Sequence, residues 1–496
     1  MDIKRGVCNL INGKWSRASS GKTFPNLNPA TQEILGHFPV STEKDIDRAV
    51  AAARRALDGW RKTPAARRGE ILHRAQLLLK ERKEELARIE TIEMGKALKE
   101  ARGDVQEAID TAFYYAGEGR RLFGQTTTSE LQDKFSMTVR VPVGVCGLIT
   151  PWNFPIAIPS WKIFPALICG NTMVLKPAEN APESATYFVR ILKEAGVPDG
   201  VINLIHGGPK TGEILVRHPG IDLISFTGSS SVGAKIGDYC GGHHKKCSLE
   251  MGGKNAQIVM EDADLNLALE GALWGAFGTS GQRCTATSRL IVHEAVYKKF
   301  TGMLVERTKA LKIGNGLDES VEMGPVVNAT QLRRIHRYVE IGRTKDKATL
   351  LLGGKPCREG EFRRGHFYSP TIFADGHPNM IIAQEEIFGP VTLLMKIRSF
   401  DEAIRVLNST AYGLSGSIYT QDISRVMHAI RDMETGITYI NGPTIGAEVH
   451  LPFGGLKHTG NGHREAGSPG LDIFSEWKAV YIDYSGRLQK AQIDVD

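Results

Sequence analysis

A chain of 496 residues, 41% hydrophobic and 24% charged, is long enough for two or three domains and is not disordered as a whole. Its formal charge of +7 is scattered over pairs such as Arg54-Arg55, Arg67-Arg68 and Arg363-Arg364, with one denser cluster at His243-His244-Lys245-Lys246. A nucleic-acid groove needs a longer basic stripe with interleaved aromatics, so nucleic acid is not expected as a partner, whereas small anionic molecules fit.

The start, Met1-Asp2-Ile3-Lys4-Arg5, lacks the apolar core of a signal peptide, and no apolar run reaches the roughly 18 residues that cross a bilayer. A cytoplasmic protein without membrane contact is the expectation. Residues 45–58 place Ile46, Val50, Ala53 and Leu57 on one helical face. Residues 68–94 read as one longer amphipathic helix carrying Ile71, Leu72, Ala75, Leu78 and Leu79, and a further helix covers 98–120. At 124–142 the character changes: Thr126-Thr127-Thr128 and then Phe135 to Val141 alternate like an exposed strand pair, an arm standing outside the core.

From 143 a strand–helix rhythm takes over. Strands at 143–150, 172–176, 201–206 and 222–227 alternate with helices at 157–170, 182–195 and 209–217, the pattern of a parallel sheet with covering helices. A second series has strands at 255–260, 287–292, 368–374, 391–397 and 416–419 and helices at 264–278 and 294–311, so two α/β units are predicted. The tail 478–494 opens on alternating Val480, Ile482 and Tyr484, a strand with no local partner. Two partnerless strands, arm and tail, predict pairing with each other across subunits and hence an oligomer.

Seven cysteines, at 8, 146, 169, 240, 247, 284 and 357, show neither CxxC nor Cys/His ligand spacing, so no disulfide framework and no metal site is indicated. Cys284 stands apart in Gly278-Thr279-Ser280-Gly281-Gln282-Arg283-Cys284-Thr285. Glycines let the backbone turn tightly and present a thiol, and the adjacent Arg283 favours the thiolate; a buried small hydrophobe is the other reading. Glu250, squeezed between Leu249 and Met251 at a strand end, is either a surface carboxylate or a half-buried general base with a raised pKa. Asn153, in Thr150-Pro151-Trp152-Asn153-Phe154-Pro155, is a turn residue or an amide aimed at a developing oxyanion.

Lys176 and Glu179 lie at the C-terminal end of the 172–176 strand, the edge where open α/β sheets collect ligands. There they can bind the hydroxyls of an adenosine ribose or simply form a solvated pair. Phe226-Thr227-Gly228-Ser229-Ser230-Ser231-Val232-Gly233 is a glycine/serine turn before a helix at 231–239, and free N–H groups at such a start bind phosphate. It is not the GxGxxG fingerprint.

Taken in order, PWNFP, VLKPAE, FTGSSSVG, LEMGGK, GQRC, EEIFGPV and PFGGLKHTGNGHREAG resemble the NAD(P)-dependent aldehyde dehydrogenase superfamily over essentially the whole chain. The resemblance implies a Rossmann-like coenzyme domain (1–123 and 143–252), a small β oligomerisation arm (124–142), an α/β catalytic domain (253–465) and an oligomerisation tail (466–496), assembled as homodimers or homotetramers. It implies Cys284 as nucleophile, Glu250 as general base, and Asn153 with the Cys284 N–H as oxyanion hole. Coenzyme contacts fall on Ile149, Thr150, Pro151 and Trp152, on Lys176 and Glu179 at the adenosine ribose, and on Gly228, Ser229 and Gly233 by the pyrophosphate. Glu386 then binds the nicotinamide ribose and Phe388 lies beside the nicotinamide.

No metal is implied. NAD is the expected coenzyme, because a carboxylate at Glu179 accepts from a ribose 2′-OH and repels a 2′-phosphate; NADP stays open. The C-terminal stretch from Asn441 to Glu448 and the SGRLQKAQID tail are similar to α-ketoglutaric semialdehyde (2,5-dioxopentanoate) dehydrogenases. That similarity implies a small, anionic aldehyde substrate, with Arg283 as an anchor for its tail or a fork to structural carbonyls. Other semialdehydes (aminoadipic, succinic) and general aliphatic aldehydes are alternatives. A CoA-acylating branch is disfavoured by Glu250, and a non-catalytic role by the intact Cys284, Glu250 and Asn153.

Overall fold

Two seven-stranded sheets organise the chain, and a computed structural model describes them over residues 8–494. Residues 1–7, which carry the N-terminal start discussed above, and 495–496 lie outside the described residues. In the first sheet the strands run in the order Lys246–Glu250, Leu223–Thr227, Val145–Thr150, Thr172–Pro177, Ile202–Leu204, Asn9–Ile11, Lys14–Ser16. The first five are parallel and the two N-terminal strands close the edge antiparallel. Every residue of Val145–Thr150 and Thr172–Pro177 is buried, as expected of a parallel sheet covered on both faces. The helix Ala157–Cys169 is likewise buried at all its positions, and each Ile or Leu there contributes about 1.5–3 kcal/mol by leaving water.

The second sheet has the order Thr349–Leu352, Thr371–Ala374, Val391–Ile397, Arg289–His293, Ala256–Val259, Ser415–Tyr419, Ile437–Ile440, parallel except at its first pair. Apolar clusters pack both faces of each sheet. The predicted strand–helix rhythm is therefore present, with additional helices Ala329–Thr344, Phe400–Asn408 and Ile423–Asp432. No helix among the described residues is long and apolar enough to cross a membrane.

Two expectations change. The helix read over 68–94 is two helices, Ala65–Glu81 and Lys83–Met94, broken at Arg82 (φ −102°, ψ 16°). The Arg82 guanidinium forks onto Glu194 with N–O distances of 2.8 and 2.6 Å, a partner 112 residues away that no local pattern reveals. The arm and tail strands do pair with each other, but within one chain. Lys134–Pro142 runs antiparallel to Ser475–Asp483 from Ser475↔Pro142 to Asp483↔Lys134, and Thr126–Thr128 adds the third strand. The tail strand thus begins at Ser475 and ends at Asp483, short of the 478–494 stretch.

Candidate active site

Strand register assembles half of the site. Thr150 pairs with Pro177, Ile149 with Phe226, and Thr227 with Glu250, so four neighbouring strands end side by side. From Val145–Thr150 the chain moves outward through Thr172–Pro177 to Ile202–Leu204, then returns to the other side with Leu223–Thr227 and Lys246–Glu250. The reversal opens a crevice at the carboxyl ends of the strands, where ligands of such sheets bind. The helix Ser230–Gly242 starts there, and its N-cap Ser229 makes no side-chain cap bond.

The other half is a loop. After the helix Leu265–Phe277 the backbone turns through Thr279 (φ 51°), Ser280 (φ 57°) and Gly281 (φ 66°), three successive left-handed residues. Gly281 is obligatory here, since a Cβ would lie 2.1 Å from the Gly389 carbonyl oxygen. The loop is pinned from several directions. The Thr279 N–H donates to Glu100 Oε2 (2.8 Å), Ser280 Oγ to the Gly324 carbonyl (2.7 Å), the Val327 N–H to Gln282 Oε1 (3.0 Å), and Asn255 Nδ2 to the Cys284 carbonyl (2.7 Å).

Cys284 emerges from this loop half-buried on a cavity of about 710 Å³ that Glu250 also lines. Burial, then the Glu386 and Glu250 carboxylates, push its thiol up to about 12, against the expectation that Arg283 would lower it. The reason is that Arg283 is already neutralised: its Nη2 lies 2.7 Å from Glu100 Oε1 and its Nε donates to Thr279 Oγ1 at 3.0 Å. Arg283 does line the cavity, with its guanidinium over Phe154 and Trp274 at 5.2 and 5.8 Å. Its fork goes to a carboxylate and a hydroxyl, not to carbonyls. Asn153, 3% exposed, donates from Nδ2 to the Gln282 carbonyl at 3.0 Å, which leaves its second amide hydrogen for another acceptor.

Glu250 is 2% exposed, and neither carboxylate oxygen has a hydrogen-bond partner. It is therefore fully buried, not half-buried. Burial and then the neighbouring Glu465 raise its pKa well above the carboxylate range, opposed by Lys162 and Arg464. Its backbone is held by Gly228 N–H (3.0 Å), while the Met251 N–H donates to the Thr459 carbonyl (2.7 Å). Glu465 and Lys162 are residues that sequence reasoning assigned no role. They form a buried ion pair completed by Lys162 Nζ to Ser225 Oγ at 2.9 Å. The signal was present: Lys162 is a lone charge inside the apolar run Ala157–Cys169, and a charge there requires a buried partner.

Lys176 is buried at its strand end. Its Nζ donates to the Pro177 carbonyl (3.1 Å) and lies 3.9 Å from Glu179 Oε2, whose side chain is 42% exposed. Burial lowers the Lys176 pKa and Glu179 offsets it. Glu386 Oε1 accepts from the Gly253 N–H at 3.1 Å, and burial raises the pKa of this carboxyl. Phe388 holds φ 60° and meets Trp152 edge-on, ring centroids 5.5 Å apart at 89°. The cavity itself brings together Cys284, Glu250 and Arg283. The predicted coenzyme residues lie along the strand ends and the Glu386–Phe388 loop instead.

The aldehyde dehydrogenase family profile matches residues 15–480. The chain belongs to this family. It is 43% identical over 476 residues to alpha-ketoglutaric semialdehyde dehydrogenase of Bacillus subtilis, covering 96% of this chain and 97% of the relative. Identity is also 43% over 480 residues to alpha-ketoglutarate semialdehyde dehydrogenase of Haloferax volcanii, covering 96% and 99%. Betaine aldehyde dehydrogenase of Bacillus subtilis is 40% identical, covering 95% and 96%. Among solved structures, betaine aldehyde dehydrogenase from Staphylococcus aureus in complex with NAD+ superposes with a TM-score of 0.95 at 34% identity, over 97% of this chain and 96% of that one. The aldehyde dehydrogenase fold and oxidoreductase class read from the motifs are thereby established.

Proposed function

We propose that this enzyme oxidises a small semialdehyde such as 2,5-dioxopentanoate to its carboxylate, with NAD as acceptor and NADP as the alternative coenzyme. The carrying observation is that Cys284 and the orphaned Glu250 carboxylate line one cavity, in a chain 43% identical to two enzymes named for this semialdehyde.

The chain's residues fit a dinucleotide. The uncapped start of Ser230–Gly242 offers N–H groups to the pyrophosphate along Gly228 and Ser229. Gly233 keeps that helix close, since a Cβ there would lie 2.4 Å from Met251 Sδ. Lys176 and Glu179 hold the adenosine ribose, Glu386 the nicotinamide ribose, and Phe388 with Trp152 flanks the ring. Ile149, Thr150 and Pro151 floor the crevice.

Cys284 Sγ gives up its proton to solvent water, and the thiolate so formed attacks the aldehyde carbon. The free Asn153 amide hydrogen and the Cys284 N–H hold the resulting oxyanion. Bound NAD supplies the hydride acceptor that turns this thiohemiacetal into a thioester. Glu250 then takes a proton from water, and the hydroxide so formed hydrolyses the thioester, releasing carboxylate and the thiol. We assign the coenzyme part to 1–123 and 143–252, the catalytic part to 253–465, and the arm 124–142 with the tail 466–496 to assembly of a homodimer or homotetramer. Support for assembly is the exposed Trp477, Tyr481 and Ile482 on Ser475–Asp483, the edge strand of the three-stranded sheet.

The test is an initial-rate panel of 2,5-dioxopentanoate, succinic semialdehyde, betaine aldehyde and pentanal with each coenzyme, without CoA. The highest kcat/KM is expected for 2,5-dioxopentanoate with NAD. Pentanal or betaine aldehyde outrunning it would reject the substrate, and a CoA requirement would reject the hydrolytic step.

A further inference from the structure

The cavity that holds Cys284 has an acidic wall, contributed by Glu100, Asp104 and Glu107 of the helix Leu98–Glu118. Two of these charges are spent inside the protein. Glu100 pairs with Arg283 at 2.7 Å, and Asp104 pairs with Lys96 at 2.9 Å, which is also 2.5 Å from Glu90. Glu107 is different: its Oε1 is buried without a hydrogen-bond partner, yet the residue faces the cavity. A buried polar atom left unpaired destabilises the fold, a cost that a ligand group completing it removes. Glu107 and Cys284 line the same cavity.

We propose that the Glu107 carboxyl group is a specificity-determining residue for the substrate tail, its O–H donating to the carboxylate end of an anionic semialdehyde whose aldehyde carbon rests at Cys284. This rests on the semialdehyde reading above and adds the group that recognises the tail. The protonated state has a physical origin. Burial first, then Asp104 and Asp110 on the same helix, push Glu107 up to about 8; Arg283 and Lys96 oppose this, but both cations are already paired to carboxylates. Tyr439 from the second sheet is itself pushed up to about 12, mainly by burial, and stays neutral. A neutral acid beside a substrate carboxylate forms an O–H···O⁻ bond, the strong charge-assisted kind. Once ionised, the same group repels that tail and favours a cationic one.

The sign follows. Below about pH 8 the anionic tail is preferred, and the preference fades as pH rises through that value. The experiment measures kcat/KM for 2,5-dioxopentanoate, pentanal and betaine aldehyde from about pH 6 to about pH 9.5, in the wild type, Glu107→Gln and Glu107→Leu. Ratios between substrates cancel the ionisation of Cys284. In the wild type the anionic-to-neutral ratio falls on the order of tenfold across the range. Glu107→Gln keeps a donor without a titration, so its ratio stays high and flat. Glu107→Leu loses the ratio at every pH, by about 10–100-fold. Should the wild type prefer the anionic substrate while Glu107→Gln still shows the pH-dependent fall and Glu107→Leu keeps the preference, Glu107 is not the reader and the semialdehyde function survives. A wild type with no preference for 2,5-dioxopentanoate over pentanal at any pH overturns both readings together.

Discussion

The two seven-stranded sheets contribute to one site by opposite means. The first offers the ends of its strands: Thr150, Pro177, Thr227 and Glu250 stand side by side because backbone pairing sets them there. The second sends loops: Cys284 follows three left-handed residues, and Phe388 is itself at φ 60°. Non-glycine residues in that region cost about 1–3 kcal/mol each and persist only where surroundings over-determine them. Here Glu100, Gln282 and Asn255 do so. Register tolerates substitution of individual side chains, whereas a strained loop depends on a few distant contacts. The Cys284 loop is thus the more fragile half of the site and the strand-end edge the more robust.

Removing the group the loop exists to present gives the largest effect. Cys284→Ala is expected to lower dehydrogenase turnover by at least about 10³-fold while NAD binding, followed by fluorescence titration, persists on the first sheet. A variant still oxidising aldehyde at a comparable rate would remove Cys284 from the chemistry. The wild-type rate should also climb with pH. Cys284 is pushed up to about 12 and Glu250 is raised well above the carboxylate range, so the reactive, deprotonated forms accumulate as pH rises. A kcat/KM profile flat toward alkaline pH would contradict this.

Glu250→Gln separates the halves more finely. Nucleophile and hydride acceptor stay in place, so a rapid-quench experiment should retain the first-turnover burst of reduced coenzyme while steady-state turnover drops about 10²–10⁴-fold. Loss of the burst would give Glu250 an earlier task than activating water. Gly281→Ala then probes fragility itself. The added methyl meets the Gly389 carbonyl at 2.1 Å, and we expect a loss of about 1–3 kcal/mol with a fall in kcat that exceeds any change in NAD affinity. Gly59→Ala, in a helix where a Cβ meets nothing within 4 Å, is the control and should stabilise by about 1 kcal/mol.

The same division explains what was legible in the sequence. Strand–helix alternation and period-3.6 faces are local signals, so the parallel sheets and the strand ends that carry residues such as Lys176 could be read from them. The break at Arg82 depends on Glu194, a distant partner that leaves no periodicity; the pairing of arm with tail was legible in their alternation, but not that both strands belong to one chain. Cys284 was singled out by its glycine-flanked motif, but its raised pKa was not legible, because Arg283 is cancelled by Glu100 from another helix. Glu107 was invisible for a related reason. In sequence it is one more acid on a polar helix face, and only the pairing of its two neighbours singles it out.

The smallest expected effect lies on the robust edge. Glu179 is 42% exposed and stands 3.9 Å from the buried Lys176 amine, so its charge is well screened by solvent. Glu179→Gln keeps a hydrogen-bonding end for the ribose 2′-OH and removes the charge that a 2′-phosphate would meet. The strand register does not involve this side chain, so Tm should hold and kcat with NAD should change little. What should move is selectivity: the NADP-to-NAD ratio of kcat/KM rises on the order of tenfold, mostly through KM for NADP. If that ratio stays put, discrimination at the ribose comes from the shape of the crevice around Lys176, and the proposed coenzyme edge is set by backbone geometry and not by one carboxylate.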